Sequence, residues 1–170
     1  MDILWAQLVD DIKTDPDDNR VLDYGLPVHI LEYGGMPARI GEIISLPKPI
    51  VLLCKWGRLD ASSFGDVYYA ASLTSPDHNT DLLKVDVNGK NEKFFPVSFP
   101  PQQHEWFTYL MLGAILYRGD GCYRITISSA RYGIPVHLSL PYIASVGFIL
   151  RRRPEDGQDQ QAAAAMYGNP

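Results

Sequence analysis

The sequence predicts an all-β fold: an antiparallel β-sandwich, jelly-roll-like, with one or two short helices. Three observations carry that reading. Ten tyrosines, thirteen prolines and fourteen glycines in 170 residues favour strands and tight turns over a helix bundle. From Val21 onward, short apolar or alternating runs are each closed by Gly, Pro, Asn or Asp. Eight such runs recur at a spacing of about ten residues, the rhythm of sandwiches and barrels.

Taken in order, the chain opens with Ile3, Leu4, Leu8, Val9 and Ile12, an i, i+4, i+8 stripe with Trp5 beside it, which reads as a short amphipathic helix. Thr14-Asp15-Pro16-Asp17-Asp18-Asn19 then breaks any helix through proline and turn chemistry. Residues 1–20 are therefore expected to be an acidic amphipathic arm and linker, residues 21–150 the β-sandwich domain, and residues 151–170 a polar, alanine-rich tail. Strands are expected near residues 28–33, 50–55, 67–73, 82–87, 93–99, 123–128, 136–140 and 146–150. Asn88-Gly89 marks a two-residue hairpin between the fourth and fifth, because both residues tolerate positive φ. Residues 103–117 read as a helix with Trp106, Phe107, Leu110, Met111 and Ala114 on one face. Residues 39–46 read as a helical turn or a further strand.

Charge argues against polyanion binding as the main activity. Fifteen basic against twenty acidic residues leave a net −5, the wrong sign for a general grip on nucleic acid or anionic lipid. The imbalance sits in residues 1–23, where seven acids face only Lys13 and Arg20. Arg151, Arg152 and Arg153 are answered by Glu155, Asp156 and Asp159. An acidic leading segment on a neutral body suits contact with other proteins.

The residue types of catalysis are present without their usual contexts. Cys54 and Cys122 fall in apolar runs and read as buried free thiols. Asp2 and the acidic first turn lack a basic n-region, so the expected compartment is reducing. No Gly-x-Ser-x-Gly elbow, Cys-x-x-Cys or His-x-x-x-His is present. Folding could assemble a Cys122/His137 nucleophile–base pair, as it could almost any other pair, so catalysis by these residues is not expected. No metal or cofactor is expected. The run from Phe107 to Tyr117 is too short to span about 30 Å of hydrocarbon. Arg118-Gly119-Asp120 matches the integrin tripeptide but abuts a strand, so receptor contact is not expected.

The order of motifs resembles picorna-like virus coat proteins. Ile40-Gly41-Glu42-Ile43-Ile44-Ser45-Leu46, the break at Pro47-Lys48-Pro49, and Ile50-Val51-Leu52-Leu53-Cys54-Lys55-Trp56 look like the first strands of that family. Ile115-Leu116-Tyr117-Arg118-Gly119-Asp120, the strand from Tyr123 to Ile127, and Val136-His137-Leu138-Ser139-Leu140-Pro141 look like its later ones. The chain departs from the family in its acidic arm and in having about thirty residues beyond Pro141. A looser resemblance links Val28-His29-Ile30-Leu31-Glu32-Tyr33, Pro37 and Trp56 to the matrix proteins of rhabdovirus-like viruses.

The coat resemblance implies a jelly-roll capsid subunit without catalysis, found in the virion and in host cytoplasm during assembly. Its partners would be copies of itself and sister subunits. Trp5, Leu8 and Val9 are the expected inter-subunit contacts, since an amphipathic segment outside the core needs a partner. The alternatives are a matrix protein bridging membrane and nucleocapsid, and a small cytosolic hydrolase.

Overall fold

The computed structural model describes residues 2–57, 67–83, 85–87, 90–92, 95–97, 103–130 and 142–153. Among them the fold is all-β, and its sheet pairings are antiparallel but for one. A three-stranded sheet has β5 (Ile43–Gly57) at its centre, with β1 (Asp2–Val9) on one side and β11 (Glu105–Leu116) on the other. A larger sheet runs β10 (Phe95–Val97), β6 (Val67–Thr74), β12 (Gly121–Ala130), β13 (Tyr142–Arg152), β4 (Ile30–Tyr33), with β7 (Thr80–Leu82) also on β6. β4 lies parallel to β13, with Ile30 opposite Ile149. Two small hairpins, β2 (Ile12–Thr14) with β3 (Val21–Tyr24) and β8 (Val85–Val87) with β9 (Lys90–Glu92), complete the set.

The central strand β5 explains the arrangement. Residues 50–54 are all apolar and all buried, which strict alternation cannot give on a one-sided sheet. Ile50, Leu52, Cys54 and Trp56 point into the main cluster, where they meet Tyr69, Ala71 and Leu73 of β6, Tyr123, Ile125 and Ile127 of β12, and Phe148 and Leu150 of β13. Val51 and Leu53 point the other way, into a second cluster roofed by Ile12 and Val21 of the β2–β3 hairpin. The three-stranded sheet is thus covered on both sides. Pro47 and Pro49 lie where the β5–β11 register shifts, between the pairs Ser45–Ala114 and Ile50–Leu112, so their missing N–H groups interrupt no continuous ladder.

The two expected helices are strands. Residues 2–9 form β1, with Leu8 opposite Leu52 and Val9 opposite Val51. An i, i+4, i+8 spacing keeps side chains on one face of a strand as well as of a helix, so the stripe did not discriminate. Residues 105–116 form β11, whose apolar residues are spread over two sides because both are covered. No helix occurs among the described residues, and residues 160–166 lie outside them. Residues 40–41 make a turn and 43–46 join β5. The run near 82–87 is divided between β7 and β8. Val87 of β8 stands opposite Lys90 of β9, and the expected turn residues Asn88 and Gly89 lie outside the described residues. The strand near 136–140 lies outside the described residues.

Candidate functional site

Trp5, Leu8 and Val9 all sit on β1, inside the chain's own architecture. Leu8 is buried in the main cluster and Val9 in the second. Trp5 is half-buried on the hairpin side, its ring 5.9 Å from Tyr24 and 5.7 Å from Phe107. Lys55 Nζ lies 5.9 Å above the Phe107 ring and 2.6 Å from Glu105 Oε2. These aromatics lock the β2–β3 hairpin onto the sheet.

Arg118-Gly119-Asp120 forms the corner between β11 and β12. The Asp120 carboxylate accepts from the hydroxyls of Tyr33 and Tyr117, each at 3.0 Å, and from the backbone N–H of Arg152 at 3.2 Å. Arg118 Nη2 lies 3.6 Å from Asp81 Oδ2, and its backbone N–H donates to Tyr123 Oη at 2.9 Å. Tyr123 in turn donates to the Gly119 carbonyl at 2.8 Å. The tripeptide therefore ties β4, β11, β12 and β13 together.

A concavity lies on the outward face of the larger sheet. Tyr123, Ile125 and Ile127 point into the core, so alternation turns Cys122, Arg124 and Thr126 outward. On β13, Phe148 and Leu150 point inward, and Gly147, opposite Arg124, has no side chain to fill the face. A Cβ at Gly147 would meet nothing closer than the Tyr123 carbonyl oxygen at 3.8 Å. The result is an open groove of about 760 Å³ that also takes in His29 and His78, within the size range of ligand pockets.

One wall is the turn from Ser75 to Asn79. Asp77 is its hub: its Oδ1 lies 2.6 Å from Ser75 Oγ, and its carboxylate accepts from the Asn79 backbone N–H at 3.2 Å and side-chain amide at 2.7 Å. The Ser75 hydroxyl, then Asn79, hold this carboxyl down at about 2. His78 follows with φ 64°, a left-handed conformation fixed by the turn.

The groove gathers a thiol, two imidazoles and a guanidinium, but among the described residues no hydrogen bond joins Cys122 to either imidazole. The activating contact of a nucleophile–base pair is thus not formed there. His137, the expected partner of Cys122, lies outside the described residues. Cys122 is exposed rather than buried, because strand alternation gives the inward place to Tyr123. Cys54 is the buried thiol, and burial pushes it up to about 12. Among the described residues no group of three His, Cys, Asp or Glu side chains is arranged to hold a metal ion. No helix among them is long and apolar enough to cross a membrane. No protein-family model matches the chain, and no curated protein matches it either.

Proposed function

We propose that the chain is a non-catalytic structural subunit that assembles with copies of itself, a virion coat protein of the jelly-roll sandwich kind. The observation that carries the reading is an exposed apolar segment running from the β4–β5 connection into the start of β5. Met36, Ile40 and Ile43 are 87%, 70% and 74% exposed within eight residues. Scattered apolar side chains on a surface are ordinary, but two on one short connection and a third at the start of the strand that follows, beside a filled core, mark an interaction surface. Two sheets sharing one cluster, with β5 paired to the non-consecutive β1 and β11, support the sandwich. The coat-like order of motifs supports the finer assignment. Because Leu8 and Val9 serve the chain's own core, the exposed segment is the better candidate for inter-subunit contact.

The matrix reading calls for a free basic face. At the arginine run, Arg151 instead forms a two-pronged pair with Glu32, 2.9 Å from Nε and 2.7 Å from Nη2. Arg152 Nε donates to the Gly35 carbonyl at 2.9 Å. Among the described residues no thiol–imidazole contact supports the hydrolase reading, and His137 lies outside them. The test is sedimentation and negative-stain microscopy of the purified chain, with and without anionic liposomes. Closed or ring-like oligomers without lipid are expected. Sheets that require lipid would favour the matrix reading, and a monomer under both conditions would overturn self-assembly.

A further inference from the structure

We infer that the groove on the outer face of the larger sheet receives the acidic tip of the β2–β3 hairpin from a second copy of the chain. This rests on the self-assembly reading and names one of its contacts. Groove and tip complement each other in charge. Arg124 makes no ion pair or hydrogen bond among the described residues, nor do the side chains of His29 and His78, and the carboxylate in the groove's wall turn, Asp77, is engaged by Ser75 and Asn79. The tip carries exposed Asp17 and Asp18 beside Asp15, against Arg20 alone. Arg20 Nη2 lies 3.6 Å from Asp15 Oδ2, so that pair is internal to the tip, and the Asp17 carboxylate has no partner among the described residues.

Shape agrees with charge. Gly147 leaves the groove floor open to close approach. The tip is already folded: the backbone N–H groups of Asp15, Asn19 and Arg20 are bonded within it at 2.8, 2.9 and 2.9 Å. Little ordering is left to lose on binding. The hairpin covers the outer side of the three-stranded sheet through Ile12 and Val21, whereas the groove opens on the outer side of the other sheet. A chain's own hairpin cannot reach its own groove. The contact is therefore head-to-tail, the kind that closes into rings or continues into extended arrays.

The experiment compares the association constant of the full chain by sedimentation for the natural sequence, Arg124→Glu, and the double variant Asp17→Lys with Asp18→Lys. These positions are exposed, and thermal melts verify that folding is retained. Each variant is expected to associate at least about tenfold more weakly, because like charges would face each other. An equimolar mixture of the two is expected to recover association, since each then meets an opposite charge in the other. Either variant associating as the natural chain does, or a loss in both without recovery on mixing, would overturn the contact. A loss in Arg124→Glu alone would also overturn it, by showing that the groove takes a different anionic partner. If the natural chain is itself monomeric, the self-assembly reading fails. If it assembles and the variants do too, only this contact fails.

Discussion

The indole of Trp56 donates from Nε1 to Thr108 Oγ1 at 2.8 Å, and the Tyr69 hydroxyl lies 3.3 Å from the same oxygen. One threonine on β11 thus meets the polar atoms of two large buried aromatics. Thr108→Val keeps the shape and removes the acceptor, and is expected to cost about 1–3 kcal/mol in urea unfolding. Cys54 stands opposite Thr108 across the β5–β11 ladder. Burial raises its thiol from 9.0 to about 12 and also raises the Tyr69 hydroxyl above its ordinary range. The unfolded chain ionises both groups more readily than the folded one. Their contribution to stability is therefore level below pH 9 and falls as pH climbs toward 12, which urea midpoints measured from pH 8 upward will show. The two cysteines should also differ under a thiol reagent: Cys122 reacts in the native protein, and Cys54 only after unfolding.

At the scale of elements, β1 and β11 show where the sequence was legible and where it was not. The Trp106-Phe107-Thr108-Tyr109 run has strong β propensity, and Gly113 argues against a helix interior, so β11 could have been read from composition. Periodicity misled because β11 is covered on both sides, and a strand buried twice loses its alternation. For β1 the ambiguity was inherent, since positions i and i+4 coincide in both geometries. Strands with one open face, such as β12 with Tyr123, Ile125 and Ile127 inward, were plain. The β2–β3 hairpin was hidden because its turn chemistry read as a linker, when it serves as a roof. Trp5→Ala removes one member of the Trp5–Tyr24–Phe107 group and is expected to destabilise the chain by about 2 kcal/mol. Hydrogen exchange should speed up most in residues 12–24. Asp120→Ala removes the acceptor shared by Tyr33, Tyr117 and Arg152, and should lower the melting temperature by loosening β4 against β13.

Across the whole molecule, the proposed contacts divide between the exposed segment at residues 36–43 and the groove on the opposite side of the core from the hairpin. The segment's apolar residues were visible in the sequence, but their exposure was not. The groove was not legible at all, since His29, His78 and Arg124 are brought together only by strand order. Because the inferred contact joins opposite charges at the surface, raising salt should weaken assembly of the natural chain more than that of the mixed charge-swapped pair's uncharged counterpart, Arg124→Gln. The doubly buried β5 carries a further consequence, for synthesis on the ribosome. The apolar run Ile50 to Cys54 is complete long before its neighbours β11, β12 and β13 exist. At translation rates of roughly 5–20 residues per second, it waits on the order of 5–20 s for the last of them. During that interval the face formed by Ile50, Leu52 and Cys54 lies open, so a nascent chain stalled after Gly57 should be a strong client of ribosome-associated chaperones, while one stalled beyond Arg152 should not.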